Sequence, residues 1–368
     1  MTKKKILLVG YANKYYRTEY VKHLKSEEYE FDILSFETCL DENRGLYGKV
    51  YDCSSSFKNS KLLAIATYLK FLFIVLRIPH YDSIHIHSVK KIEGFYAKQI
   101  RKKCDKLIAS IYGSDVYRVS EKTRQQLRPL FDNCTYIQVE TETIRREFNK
   151  FFNNNYDEKL RLVAFGIGAL DYIDAKRPMK SVLREEYGVG KDDIVITIGY
   201  NATKEQHHLE IFNQMKEEGL DKRGDLFIAV PLSYGITDYK KRVNREFEKS
   251  GLRGRCFNDY LSLEDVAGLR IISDIMIQVQ DTDTYSSSML EYIYADNIVI
   301  TGEWLPYDEL SDFILKVKTQ EDVGKRIVDV VSHFQESKKR IPFEKAKNYI
   351  AENSTWEGTR KKWLNLYD

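Results

Sequence analysis

The stretch IMIQVQDTDTYSSSMLEY, residues 275–292, decides the fold because it joins two different kinds of segment. An apolar run of strand length comes first, a polar turn with two acids and three serines follows, and a more apolar, helix-like run ends it. A strand that leads through a short turn into a helix is typical of parallel sheets covered by helices. The stretch therefore predicts an α/β fold, and it places acids and hydroxyls at the exit of a strand.

The same alternation recurs on both sides of one interruption. The apolar runs are KKKILLVG, YEFDILSF, YDSIHIHS and DKLIASIYG in the first half, and DIVITIGY, DLFIAVPLSY, RCFNDYLS, SDIMIQVQ and NIVITG in the second. Between them AFGIGALDYIDAKRP, residues 164–178, has the glycine and proline content of a linker. At 368 residues the chain exceeds one ordinary core.

We therefore expect two Rossmann-like, doubly wound parallel-sheet domains that face a cleft. The N-terminal, acceptor-side domain is predicted at residues 1–170 and the C-terminal, donor-side domain at 171–340. Helices at 341–368 are predicted to pack back on the N-terminal domain.

Composition indicates a globular protein of the cytoplasm. Hydrophobic residues make up 43% and charged residues 31% of the chain. The five cysteines are scattered without a CxxC pair, and the lysines at the start precede only a strand-length apolar run. Reduced thiols and no export signal are the expectation.

Charge is uneven between the two halves. Residues 1–170 hold 29 Lys and Arg against 20 Asp and Glu, whereas residues 171–368 hold 29 against 35. A basic half suits an anionic surface or a phosphate-bearing acceptor, although uneven solvated charge is the simpler interpretation. No basic stripe with interleaved stacking residues stands out, so no nucleic-acid partner is expected.

The most apolar segment is KLLAIATYLKFLFIVLRIPHY, residues 61–81. Lys70 interrupts it, and its uncharged pieces are shorter than the roughly 20 residues of a membrane span. We predict a buried helix of the first domain. The alternative is an amphipathic helix on a membrane face, anchored by Lys61, Lys70 and Arg77.

Ligands of open α/β sheets bind beyond the carboxyl ends of the strands, so the strand exits are the candidate sites. In the second domain the first exit reads GYNATKEQHHLEIF and contains Gly199, Asn201, Thr203 and Lys204. A helix that starts near Thr203 would offer its free amides to a phosphate, and Lys204 would add a charge. The plainer alternative is Thr203 as an ordinary N-cap.

The exit in the opening stretch adds hydroxyls and acids. Ser286, Ser287 and Ser288 lie where the next helix must begin, which is either an ordinary cap or a second phosphate site. Glu291, inside that helix, is suited to the two hydroxyls of a ribose because an ionised carboxylate only accepts hydrogen bonds. Asp281 to Asp283 reads DTD like a metal motif, but we expect no essential metal or cofactor.

The spacing of Asp283 and Glu291, D-x7-E, resembles the donor segment of GT-B glycosyltransferases, above all the retaining family four, where the pattern is E-x7-E. The resemblance implies that Asp283 faces the sugar, that Ser286 to Ser288 form the phosphate turn, and that Glu291 binds the ribose. Asp stands here for the first Glu, and serine for the usual glycine.

A second segment pair, GYNATKEQHHLEIF with VPLSYGITDYKKRV, is similar to the bacterial 4-acetamido-4,6-dideoxygalactose (Fuc4NAc) transferases of enterobacterial common antigen synthesis. The matching positions are Asn201, His207 or His208, Pro231, Tyr234, Tyr239 and Val243.

In the first domain IYGSDVYR resembles the [HWY]-G-S-D-x-[YF]-R turn of polysaccharide glycosyltransferases and implies acceptor-side roles for Asp115 and Arg118. His87 and Glu93 follow another strand, and Gly10 follows the first. A capping Asp115 and a core His87 are the alternatives.

The resemblances imply a metal-independent glycosyltransferase of hexosyl type. Its donor would be a nucleotide sugar, and its acceptor a glycan or polyprenyl-linked glycan of a bacterial capsule or O-antigen, reached at the inner face of the cytoplasmic membrane. Lys204 and the serine amides would stabilise the leaving diphosphate, and Asp115, His87 and Asp283 are the catalytic candidates. Retention or inversion stays open. A nucleotide-sugar epimerase and a non-catalytic nucleotide-sugar-binding partner are the alternatives.

Overall fold

The structure is a computed structural model that describes residues 3–54, 60–117, 119–283 and 285–368. The chain divides into two compact units. The first unit comprises Met1–Gly166 together with Asn353–Asp368, and the second comprises Ile167–Glu352.

The first unit contains a seven-stranded parallel sheet with the order β3-β2-β1-β4-β5-β6-β7. Its strands are β1 (Lys4–Gly10), β2 (Tyr29–Ser35), β3 (Val50–Asp52), β4 (Tyr81–His87), β5 (Cys104–Ser110), β6 (Tyr136–Val139) and β7 (Leu160–Leu162). The helices between them are α1 (Tyr15–Leu24), α2 (Asp41–Arg44), α3 (Ser60–Arg77), α4 (Lys91–Phe95), α5 (Ala97–Arg101), α6 (Ser114–Tyr117), α7 (Glu121–Asn133) and α8 (Glu142–Phe152).

The second unit contains a six-stranded parallel sheet with the order β10-β9-β8-β11-β12-β13. Its strands are β8 (Ile194–Ile198), β9 (Leu226–Pro231), β10 (Gly254–Phe257), β11 (Ile275–Gln278), β12 (Ile298–Gly302) and β13 (Leu315–Val317). Its helices are α9 (Ala169–Lys176), α10 (Lys180–Glu186), α11 (His208–Glu217), α12 (Thr237–Ser250), α13 (Leu263–Ile272), α14 (Ser287–Tyr294), α15 (Val323–Ser332), α16 (Phe334–Arg340) and α17 (Phe343–Ser354).

Both sheets follow from the sequence pattern. Central strands such as β1 and β9 are near-continuous apolar runs because helices cover both faces of a parallel sheet. In each sheet the strand order reverses once, between β1 and β4 in the first unit and between β8 and β11 in the second. Ligands of doubly wound sheets bind at this reversal, outside the carboxyl ends of the strands. The predicted pair of doubly wound sheets is confirmed.

The segment between the sheets is not a bare linker. The first unit ends at Gly166, and α9 begins three residues later, within the passage predicted as a linker. Leu170 and Ile173 of α9 are buried in the core of the second unit, which explains why this glycine-containing segment folds into a helix.

The terminal helices divide between the units. α17 packs Ala346 and Ile350 into the core of the second unit. The last helix, α18 (Trp356–Leu364), belongs to the first unit. There the Trp363 indole N–H donates to the carbonyl of Ala164 at 2.9 Å, and the Tyr367 hydroxyl is hydrogen-bonded to His85 Nδ1 at 2.6 Å.

The apolar segment at 61–81 contributes most of α3 and the start of β4. The prediction of a helix is correct, but only one side of that helix is buried. Phe71 and Val75 are buried, but the opposite face of α3 is exposed. Among the described residues, no helix is long and apolar enough to cross a bilayer.

Candidate functional site

The exit of β8 in the second unit is a tight polar turn. Gly199 has a φ of +66°, and a Cβ there would lie 2.9 Å from Gln206 Oε1 and from His208 Nε2, so any other residue would be strained and would have to displace these side chains. Asn201 is buried, and its Oδ1 accepts a hydrogen bond from the Thr203 hydroxyl at 2.8 Å. The turn is therefore held by its own side chains.

The helix predicted to start near Thr203 starts five residues later. A single 3-10 turn covers Lys204–Gln206, His207 adopts a left-handed conformation with a φ of +53°, and α11 begins at His208. The Thr203 hydroxyl is committed to Asn201 and caps no helix. Lys204 is exposed, as a phosphate-binding cation must be.

The exit of β9 lies against this turn. Ala202 pairs with Gly235 in an isolated bridge, and a Cβ on Gly235 would lie 2.5 Å from the Ala202 carbonyl oxygen. The bridge brings Tyr234 to the site. Tyr234 is 56% exposed, and the partial burial of its ring raises the pKa of the hydroxyl. A hydrogen bond with Asn201 and the charge of Arg270 lower this pKa, and the charge of Glu291 raises it.

Asp283 is fixed at the exit of β11. Its Oδ2 accepts hydrogen bonds from the amide of Gln278 at 3.2 Å, from the amide of Gln280 and from the Tyr307 hydroxyl. Burial, followed by the charge of Asp283, raises the pKa of Tyr307 well above its usual value. Asp281 contacts other groups, since its Oδ1 lies 2.8 Å from His207 Nε2. The two acids of the DTD sequence thus have separate partners.

The three serines differ from one another. Ser286 is the N-cap of α14: its Oγ accepts from the amide of Met289 at 3.2 Å and donates to Gln278 Oε1 at 3.2 Å. Ser287 is exposed in the first turn, and Ser288 accepts from Arg270 Nη2 at 3.2 Å. The predicted start of a helix at these serines is confirmed.

Glu291 is buried and paired with Arg270. Nε and Nη2 of Arg270 both lie 3.0 Å from Glu291 Oε2, and Nη1 donates to the Tyr292 hydroxyl at 2.7 Å. Burial raises the pKa of Glu291, and the guanidinium opposes that shift. Arg270 thereby connects Ser288, Glu291 and Tyr292. Sequence reasoning missed Arg270, although an arginine within the apolar run VAGLRII of α13 is a usable signal.

At the corresponding edge of the first unit Asp115 holds two strand exits together. Its Oδ2 accepts from the amide of Val89 at 3.1 Å, after β4, and its Oδ1 accepts from the amide of Tyr112 at 3.0 Å, after β5. Burial raises the pKa of Asp115 to about 7, against the lowering effect of these amides. The predicted neighbour Arg118 lies outside the described residues.

Glu140, which follows β6 directly, is a second acid at this edge that sequence reasoning missed. Burial, followed by the charge of Asp115, raises the pKa of Glu140 to about 7. Two neighbouring carboxyls that cannot both ionise easily are a feature of acid–base sites. An acid directly after a strand was the available signal.

His87 ends β4 and is fully buried. Its Nδ1 is hydrogen-bonded to the Tyr112 hydroxyl at 2.7 Å. Burial and the charge of Arg17 hold the pKa of His87 well below its usual value, so the imidazole is neutral. Within the described part of the chain, Nε2 of this histidine has no hydrogen-bond partner.

Gly10, at the end of β1, makes room for Arg17. A Cβ on Gly10 would lie 2.8 Å from Arg17 Nη2 and 3.3 Å from the His87 carbonyl oxygen. Arg17 is completely buried, and Nε, Nη1 and Nη2 have no hydrogen-bond partner among the described residues. Sequence reasoning missed this cation because an arginine on a surface helix such as α1 is ordinarily exposed.

Glu93, the remaining candidate, caps a helix. Its carboxylate accepts from the amide of Lys90 at 2.9 Å in a capping box at the start of α4. Burial raises the pKa of Glu93 to about 7.

Across residues 3–54, 60–117, 119–283 and 285–368, no group of three or more His, Cys, Asp or Glu side chains is placed to hold a metal ion.

Comparison with known proteins gives a family match in the first unit and a fold match over the whole chain. Residues 5–141 match the model of the family described as Glycosyl transferase 4-like. No curated protein matches the chain.

Three solved structures illustrate the fold. A glycosyltransferase from Rickettsia africae is 16% identical, with a TM-score of 0.78, and the match covers 100% of this chain and 98% of that one. HepE of Anabaena, in complex with UDP and glucose, is 12% identical, with a TM-score of 0.72 and 98% of each chain covered. WaaG, a glycosyltransferase involved in lipopolysaccharide biosynthesis, is 11% identical, with a TM-score of 0.65 and coverage of 98% and 99%. The chain has the GT-B fold.

Proposed function

We propose that this protein is a glycosyltransferase that moves a hexose from a nucleotide sugar to a glycan or lipid-linked acceptor. The family match and the fold support glycosyl transfer as the class of activity. The observation that carries the donor site is the buried Arg270–Glu291 pair, which lies behind the first turn of α14 at the reversal of strand order.

In this proposal the donor diphosphate binds at the N-terminus of α14. The amides of Ser287 and Ser288 point out of the first turn, where free N–H groups and the helix dipole favour an anion. Lys204 supplies the positive charge from the exit of β8. The complex of HepE with UDP is consistent with a donor of this class.

Glu291 and Asp283 are proposed to recognise the two sugars of the donor. Both Arg270 contacts go to Oε2 of Glu291, so Oε1 is proposed to accept the ribose hydroxyls. Asp283 is held by two amides and a tyrosine, and a fixed carboxylate selects one arrangement of sugar hydroxyls. Tyr234 is proposed to line the nucleoside side, because its hydroxyl is under the influence of Arg270 and Glu291.

Chemically, the reaction breaks the bond between the anomeric carbon and the diphosphate and forms one to an acceptor oxygen. The leaving diphosphate gains charge, which Lys204 and the α14 amides would stabilise without a metal ion. The acceptor hydroxyl loses a proton, and the Asp115–Glu140 pair is proposed to take it, since a base with a pKa of about 7 is well matched to neutral pH. His87 is a poor base, because burial holds its pKa far below that range, and is proposed to position Tyr112 instead.

We further propose that the reaction belongs to bacterial surface polysaccharide assembly at the cytoplasmic face of the membrane. The support is that WaaG, which has the same fold, is involved in lipopolysaccharide biosynthesis, and that the first half of this chain is basic. Fuc4NAc as the transferred sugar rests only on the sequence resemblance around Asn201 and Tyr234.

The test is donor binding followed by donor turnover. Thermal shift with UDP, TDP and GDP should single out one nucleotide, and the matching nucleotide sugar should release that nucleotide. Glu291→Gln should abolish the selective shift, whereas Glu246→Gln, which changes a partly exposed residue of α12 that is paired with Lys249, should keep it. Selective binding without any release, with or without glycan acceptors, would favour a non-catalytic partner. Release of free nucleotide with sugar isomerisation would favour an epimerase.

A further inference from the structure

Helix α3 exposes a continuous apolar stripe. Ile65, Leu69, Phe73 and Leu76 are 57%, 61%, 55% and 58% exposed, and their spacing of four, four and three residues puts them on one face. Folded proteins seldom leave such a contiguous stripe in water without a partner for it.

The stripe continues onto α4. Phe95 is 71% exposed, and its ring lies 6.0 Å from the ring of Tyr68 on α3, measured between centroids. Two adjoining grooves of about 470 and 400 Å³ run beside these helices, and Tyr68 and Lys91 line both. The apolar face and the grooves together are called the α3 face below.

The cations of the α3 face have few acids to balance them. Lys90 lines the larger groove and Lys98 the smaller, and among the described residues no acid lines either one. The Lys90 ammonium lies 3.9 Å from the centroid of the Tyr11 ring and 3.8 Å from that of Phe36, over aromatic faces. Such an arrangement keeps the ammonium at the rim of an apolar groove.

The surrounding sequence is strongly basic. Residues 60–103 hold nine Lys and Arg against two acids, within a chain whose net charge is only +3. Glu93 is buried as the cap of α4, and Asp82 accepts from the backbone of Lys5 at 2.7 Å. Both acids are thus engaged within the unit.

We infer that the α3 face docks the protein on the surface of an anionic phospholipid bilayer. The stripe enters the boundary between headgroups and acyl chains, and Lys90, Lys91 and Lys98 contact the lipid phosphates. A second copy of this chain fits less well, because two faces of the same positive charge repel each other. The docking does not depend on the proposed function, but its use in reaching a lipid-linked acceptor rests on it.

Vesicle sedimentation with the full chain tests this inference. The protein should sediment with vesicles of phosphatidylcholine and phosphatidylglycerol, should stay in solution with phosphatidylcholine alone, and should be released by salt. Leu69→Glu combined with Phe73→Glu should reduce binding at least about tenfold, because it puts two charges into the apolar contact. Lys90→Glu combined with Lys91→Glu should do the same, and arginine at both positions should restore it.

Leu162→Glu is the matched control, since Leu162 is 48% exposed on β7 of the same unit but lies outside the α3 face. Binding that survives the α3-face substitutions, or that Leu162→Glu weakens equally, would overturn the inference. So would a dimer in light scattering that Leu69→Glu dissociates, together with no vesicle binding. An unchanged midpoint of thermal unfolding without ligand shows that each variant is folded. Titration with UDP, TDP and GDP is done separately, so that a failure of docking is distinguished from a failure of the proposed function.

Discussion

The loops at the carboxyl ends of the two sheets differ in whether their buried charged side chains have partners. In the second unit the charged side chains are paired: Arg270 neutralises Glu291, and Asp283 accepts hydrogen bonds from amide and hydroxyl donors. In the first unit Arg17 is buried without a partner among the described residues, while Asp115 and Glu140 share an environment that disfavours their charged forms. A site whose charges are already paired is ordered before a ligand binds. A site with unpaired buried charges is stabilised most when a ligand supplies the opposite charge or a proton neutralises a carboxylate.

The largest effect is expected from breaking the paired site. Arg270→Met leaves Glu291 buried without its counter-charge and should lower the free energy of unfolding by about 3–5 kcal/mol. Urea denaturation measures the loss. Arg270→Met with Glu291→Gln should recover part of it, and Arg326→Met, at an ion pair on the outside of α15, should change stability by less than about 0.5 kcal/mol. An Arg270 variant as stable as the wild type would refute the pairing.

The turn at Gly199 should be nearly as sensitive. Alanine there combines a φ of +66° with contacts of 2.9 Å to Gln206 and His208, and should cost about 2–3 kcal/mol. Gly251→Ala provides the comparison, because Gly251 has a φ of +76° but no neighbouring atom within 4 Å. The difference between the two variants in urea denaturation isolates the steric part. Equal losses would mean that the turn opens to admit a side chain.

Replacing Arg17 of the first unit should change stability in the opposite direction to replacing Arg270. Arg17→Met removes a buried charge whose nitrogens make no hydrogen bond among the described residues and whose guanidinium has only the Tyr16 ring 5.9 Å away, so the free energy of unfolding should rise, by about 1–2 kcal/mol. If the cation serves the acceptor, turnover should fall in the same variant. If Arg17→Met instead lowers the free energy of unfolding as much as Arg270→Met does, the proposed difference between an unpaired and a paired arginine is wrong.

The smallest effect is expected on the pH dependence, because Asp115 and Glu140 are only partly buried and water screens part of the shift. Their pKa values are about 7 in the folded protein and near 4 when unfolded. The folded state therefore binds more protons between these values, and the contribution of these two carboxyls to stability should be complete below about pH 4 and lost as the pH rises to about 7. Unfolding measured from pH 4 to 8 should show a shallower fall in Asp115→Asn combined with Glu140→Gln. Asp225→Asn, which removes a carboxyl whose pKa is lowered, should not flatten it.

The sequence predicted the parts of this molecule that depend on local pattern. Apolar runs indicated nine of the thirteen strands in the described residues, and Ser286 was recognisable as the start of α14. The four strands they missed, β3, β6, β7 and β13, are only three or four residues long. The predicted helix start near Thr203 was wrong for the α-helix: only a 3-10 turn begins at Lys204, and the left-handed conformation of His207, which no spacing rule contains, delays α11 to His208.

Long-range pairing was beyond the sequence. Arg270 and Glu291 are 21 positions apart, and the ion pair that joins them forms only when α13 packs beside α14. Arg17 looks like any arginine of an exposed helix until Gly10 and β4 enclose it. Glu140 is different: the rule applied to the other strand exits identifies it, and the acid was simply not considered.

The division of the terminal helices has a consequence for how the chain acquires its structure during synthesis. Trp363 and Tyr367 complete the core around Tyr20 and His85, yet the ribosome makes them after the entire second unit. The first unit is therefore synthesised first but completes its fold last. Part of its hydrophobic core stays exposed until residues 353–368 have been made. A nascent chain of this kind has a long interval in which chaperones can bind it, and fragments limited to residues 1–166 would carry that exposed core permanently.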